Sequence, residues 1–160
     1  MNKLSKLLLA LALVFALTAP LYAAGTCVET VTALPTVREV SFVCTADSSA
    51  ATYPSTLFSP SAMSQILGWY LMTGSCLNGA TGPTASTEFT LSTTRESDIL
   101  GGSGKSPSVT TAGVASKFSP ITDTVYATSG LVPVTDNLTL ASTGNAVNSA
   151  IVTLVFKFVK

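Results

Sequence analysis

A chain of 160 residues without a single histidine lacks the usual general base, the commonest zinc ligand and the standard activator of a nucleophile at once. The carboxylates Glu29, Glu39, Asp47, Glu88, Glu96, Asp98, Asp123 and Asp136 are scattered, and only Glu96 and Asp98 stand close together. Two acids at that spacing can hold a cation loosely, or serve a glycosidase if the fold brings another carboxylate near. With Arg95 beside them to balance charge, a solvated turn is the simpler expectation. Asp136-Asn137 poses the same choice, and an Asx-type turn is expected there. The run Gly101-Gly102-Ser103-Gly104-Lys105-Ser106 lacks the four-residue gap that a phosphate loop places before its Gly-Lys-Ser, and no helix follows it. Gly101 and Gly102 are therefore assigned to a structural turn, where positive φ or close backbone approach is needed. No catalytic residue, cofactor or metal site is expected, and the chain is read as a non-enzyme.

Cysteines and aromatic residues supply the remaining candidates. The odd set Cys27, Cys44 and Cys76 leaves one thiol free or paired between chains if the protein is exported. If Leu34-Pro35-Thr36-Val37 is a hairpin loop, Cys27 falls opposite Cys44, and Val31 opposite Val40 on the side that carries Phe42. Cys27 and Cys44 are then the candidate disulfide, provided that they occupy a non-hydrogen-bonded pair, and Cys76 is the free or intermolecular thiol. Three reduced, buried cysteines are the alternative. Ile66 to Thr73 reads as a central strand, with Leu67, Trp69 and Leu71 on one face and Ile66, Tyr70 and Met72 on the other. Core packing is the first expectation for the lone tryptophan. A glycan-stacking platform of Trp69 and Tyr70 is the second.

The elements that must position these residues lie behind a leader. Met1 to Lys6 is basic, Leu7 to Leu17 is apolar but short for a bilayer span, and Thr18 to Ala24 brings a proline and small residues. Residues 1–23 are read as a signal peptide cut after Ala23, and residues 24–160 as one domain with no membrane span after cleavage. Export to the periplasm, cell surface or medium follows. Cleavage would remove Lys3 and Lys6 and leave six basic against eight acidic residues, with no basic stripe for nucleic acid. The domain is rich in Ser, Thr, Ala and Gly, which predicts a surface coated in hydroxyls.

Alternation places half-buried strands at Thr26 to Ala33 and Arg38 to Thr45, with Val40, Phe42 and Cys44 on one face of the second. Asp47 to Pro60 reads as a long connection, and Ser59-Pro60 as the N-cap and first position of one helical turn. Ser75 to Ser86 is expected to be a loop, Thr87 to Thr93 a strand with Phe89 and Leu91 inward, and Asp98-Ile99-Leu100 a short strand ended by Gly101-Gly102. A polar loop over Gly104 to Pro120, a strand over Ile121 to Ala127, and an edge or bend at Pro133 follow. Next come a strand at Asn137 to Leu140, a turn at Thr143 to Asn145 and a closing strand from Ala150 to Val159. That last strand alternates Ala150, Val152, Leu154, Phe156 and Phe158 on one face, and so long an apolar run belongs inside a sheet. The fold class expected is all-β, an antiparallel, jelly-roll-like β-sandwich.

The order Thr87-Glu88-Phe89-Thr90-Leu91, Asp98-Ile99-Leu100-Gly101-Gly102, Leu138-Thr139-Leu140 and an apolar strand at Ile151 to Val159 resembles small structural proteins of tailed-phage and prophage gene clusters. The resemblance covers most of residues 37–159 and implies a β-sandwich of virion type without catalytic residues. Such virion proteins carry no leader, so the leader and three cysteines of this chain suggest an exported relative. Two classes of function follow: a structural or interaction module that self-associates or joins another surface or virion protein, and a module that binds glycan or another surface ligand.

Overall fold

The computed structural model describes residues 25–102, 104, 113, 115–118 and 130–160. The expected leader, the strand at 121–127 and most of the 104–120 loop lie outside the described residues. The chain folds as an antiparallel β-sandwich. Its strands are β1 (Thr26–Ala33), β2 (Val37–Thr45), β3 (Thr56–Leu57), β4 (Tyr70–Asn78), β5 (Glu88–Ser92), β6 (Ala115–Phe118), β7 (Val132–Pro133), β8 (Thr139–Thr143) and β9 (Ile151–Val159). One helix, α1, spans Pro60–Ile66 between β3 and β4.

Six strands form the larger sheet in the order β1-β2-β9-β4-β6, with β7 also paired to β4, and three form the smaller in the order β3-β8-β5. After the β1–β2 hairpin the chain passes repeatedly from one layer to the other, so both sheets share one core. The closing strand β9 lies between β2 and β4, where both of its edges are bonded. Val152, Leu154, Phe156 and Phe158 of β9, with Ala150 just before it, are all fully buried, as their alternation predicts. Phe42 of β2 meets Phe58 edge-on at 4.8 Å between ring centroids and Phe156 at 6.4 Å, which ties the layers together through a non-directional apolar contact with some quadrupolar preference. Phe89 and Leu91 project into the same core from β5.

The β1–β2 hairpin has the expected register, with Cys27 opposite Cys44 and Val31 opposite Val40. Ser59 caps α1: its side chain accepts from the Ala62 N–H at 3.1 Å, and Pro60 begins the helix. The helix runs longer than one turn because Ala62, Met63 and Ile66 recur at helical spacing and are buried.

Three readings of the chain need correction. Ile66 to Thr73 is not one strand: Ile66 ends α1, Gly68 turns the chain at φ 78°, and β4 begins at Tyr70. An apolar run of this length fits either period, and helix capping by Ser59 decided the first part. β4 then continues to Asn78 through residues expected to form a loop, because β9 offers a matching edge as far as Val152. Asp98-Ile99-Leu100 is a turn, not a strand. Smaller differences are β3 and β6 inside expected loops, and β8 running from Thr139 through the expected turn at Thr143.

Candidate interaction surface

The outward face of the six-stranded sheet follows directly from the register. Val28, Val43, Thr153 and Leu77 lie side by side across β1, β2, β9 and β4. Val28 is 62% exposed, Val43 47% and Leu77 40%, so this row is an apolar stripe open to solvent. The next row is Thr30, Ser41, Val155 and Ser75, and the one after places Glu39 opposite Lys157, whose side chains pair at 3.4 Å. The pair is solvated, so it orients charge on this face more than it stabilises the fold.

A β-bulge between Leu71 and Thr73 gives Met72 no partner on β9 and bends β4 beside this face. Met72, Thr73, Gly74, Ser75, Val155 and Lys157 line a groove of about 280 Å³ there. Its lining offers hydroxyls, a thioether and one ammonium already paired with Glu39, an arrangement that suits packing better than bond-breaking chemistry.

The Asp98 carboxylate accepts from three backbone N–H groups. One oxygen accepts from the Leu91 N–H at 3.1 Å and the Leu100 N–H at 3.0 Å, and the other from the Gly102 N–H at 2.7 Å. The Ile99 N–H donates to the Leu91 carbonyl, and the Phe89 N–H to the Gly104 carbonyl. This loop therefore covers the outer edge of β5 by occupying the backbone groups that an incoming strand would use. Gly101 and Gly102 have φ of 57° and 75°, the left-handed conformation that the loop needs. At Gly104 a Cβ would fall 2.0 Å from the Phe89 carbonyl oxygen, so only glycine permits the approach. Sequence reasoning singled out the glycine pair but missed Asp98 as the centre of the motif, although Asp followed by glycines is a recognised turn signal.

Cys27 and Cys44 form a disulfide with Cα atoms 4.0 Å apart. Cys76 is a free cysteine, and it is fully buried. Burial pushes its thiol up to about 12, which keeps it protonated. Burial and then the neighbouring Cys76 raise the Tyr53 hydroxyl as well.

Trp69 and Tyr70, the candidate stacking aromatics, sit in different settings. Trp69 is half-buried against the core, and the Arg38 guanidinium carbon sits 4.7 Å from its ring centroid. One face of the ring thus carries an internal cation–π contact. Tyr70, next along the chain, pairs with Pro133 and Val159 at the end of the sheet and is 43% exposed.

Asp136 accepts from the Asn137 N–H at 2.7 Å and from the Thr94 hydroxyl, and Asp47 from the Ser49 and Ala50 N–H groups. The Thr94 hydroxyl holds Asp136 below the usual carboxylate range, and the Ala50 N–H does the same for Asp47. Asp47 is a turn-forming acid with local partners, whereas Asp136 joins its own turn to Thr94, 42 residues earlier. Among the described residues no three His, Cys, Asp or Glu side chains gather to hold a metal ion, and no helix is long and apolar enough to cross a membrane. No family model, curated protein or solved structure matches the chain.

Proposed function

We propose that this protein is an exported, non-catalytic structural or interaction protein whose β-sandwich works through contacts between subunits at the cell exterior. The observation that carries the reading is the outward face of the six-stranded sheet, where Val28, Val43 and Leu77 form an exposed stripe flanked by hydroxyls and one charge pair. An apolar face of that kind gains free energy when a second surface removes it from water. Threonine and serine around it supply hydrogen bonds without the desolvation cost of charges. Export is supported by the basic-then-apolar start of the chain and by the Cys27–Cys44 disulfide, a bond that persists in oxidising compartments.

Copies of the same chain are the partners that the surface fits best. The chain carries few charges, so like copies repel one another weakly, and the Glu39–Lys157 pair offers both signs on one face. The phage-like strand order leaves a virion protein as the alternative setting for the same contact chemistry. Fractionation of the producing cells, followed by native mass measurement on the protein recovered, tests the proposal. Recovery outside the cytoplasm as a defined oligomer or filament is expected. Recovery of a cytoplasmic monomer would overturn it, and co-purification with phage particles would move the protein to the virion setting.

A further inference from the structure

The two sheets treat their edges differently. The outer edge of β5 is covered by the Asp98–Gly104 loop, which uses a carboxylate and two carbonyl contacts for the purpose. β1, the terminal strand of the larger sheet, pairs on one side with β2 and with no other described strand. It has eight residues, with no proline, lysine, arginine or bulge to deter another strand. Its one charge, Glu29, sits on the core-facing side, where it accepts from the Ser59 N–H at 3.0 Å and from the Ser59 hydroxyl. Glu29 thus fastens the strand to the start of α1, and no described strand covers its other edge.

Which backbone groups face outward can be read from the register. The Leu34 N–H donates to the Val37 carbonyl at 2.9 Å, so Leu34 and Val37 are a hydrogen-bonded pair. Cα atoms of 4.0 Å separation at Cys27 and Cys44 mark the other type of pair, which lies closer together, at about 4.5 Å, than the bonded type at about 5.5 Å. The two types alternate. Val28, Thr30 and Thr32 therefore bond to β2, and the N–H and C=O groups of Cys27, Glu29, Val31 and Ala33 point to the free edge.

Resting on the proposed role in subunit contacts, we infer that β1 pairs antiparallel with β1 of a second copy about a two-fold axis at Thr30, joining two six-stranded sheets into one. Alternation restricts the register, since outward groups must meet outward groups. An axis at Glu29 would set the two Glu29 side chains opposite each other, where like charges destabilise a sheet. Moving the axis to Thr30 places Glu29 opposite Val31 and Cys27 opposite Ala33 of the second copy. Thr30 then faces Thr30, and Val28 faces Thr32, on the outward surface. The row through Val43 and Val28 thereby meets the Thr32–Glu39–Lys157 row of the second copy, so the two outward faces join into one surface on which each apolar stripe ends at the junction.

The test is a cysteine placed on the axis. Thr30 is exposed, so T30C leaves the core intact, and its partner across a non-hydrogen-bonded pair would be close enough for a disulfide. Mild oxidation of the folded protein should give a disulfide-linked dimer on a non-reducing gel, whereas T32C, which faces Val28 instead, should stay largely monomeric on the gel. A second variant, V31P, removes an outward N–H without touching the bonds to β2, and it should abolish the dimer in native mass measurements while the protein stays folded. Wild-type protein that assembles while T30C fails to cross-link overturns the edge pairing but leaves the role in subunit contacts standing. Wild-type protein that is monomeric throughout overturns both. Cross-linking of T32C as efficient as that of T30C would reject the register.

Discussion

Asp98 shows how one side chain can decide what a segment does. Its carboxylate holds three backbone N–H groups on a half-buried loop, so D98A leaves donors without acceptors at the β5 edge. A loss of about 2–3 kcal/mol in urea unfolding is expected, with D98N falling between mutant and wild type. Cys76 makes a second prediction at this scale. Buried and held protonated, it should resist alkylation in the folded protein and react fully once denatured, which mass spectrometry can follow. Asp47 gives a pH dependence. Its folded-state pKa is lowered below 3.8, so its contribution is present above that value and is lost as the pH falls through the lower, folded value. Acid unfolding of D47N should therefore lack part of the wild-type slope in that window. The residue types of these groups were legible in the sequence, but their partners were not. The Asp98 contacts reach back to Leu91 on a neighbouring strand, and no local pattern announces a contact that the fold must first create.

At the scale of elements, the parts set by strict alternation were legible. β9 and the β1–β2 hairpin were placed to within about a residue because a one-residue slip would turn every buried side chain outward. The segment from Ile66 to Thr73 was not, since its apolar residues satisfy both helical and strand spacing. What separates them is the Ser59 cap at one end and pairing with β9 at the other. S59A should lower stability by about 1 kcal/mol through the lost cap, and the hydroxyl bond to Glu29 would go with it while the backbone N–H bond to Glu29 stays. Reducing the Cys27–Cys44 bond, which closes a separation of 17 residues, should cost roughly 3 kcal/mol. Comparison of urea midpoints with and without reductant would measure it. The hairpin also carries the exposed β1 edge, so reduction and S59A both loosen the strand through which two copies are inferred to meet.

For the whole molecule, fold class was readable from composition and strand spacing, whereas the division into a six-stranded and a three-stranded layer was not. That division depends on connections that pass between layers, and the residues that make them are polar and without period. The surface was legible only in outline. Many hydroxyls and few charges suggested a face made for contact, but the stripe of Val28, Val43, Thr153 and Leu77 exists only once four strands stand in register. The central claim is that this sheet surface brings subunits together. Sedimentation velocity over a concentration series, on wild type and on V43K, tests it most directly, because Val43 is exposed and can change without disturbing the core. The account predicts a larger species that grows with concentration for wild type and is markedly weakened in V43K. Identical monomeric sedimentation of both proteins at every concentration would contradict it.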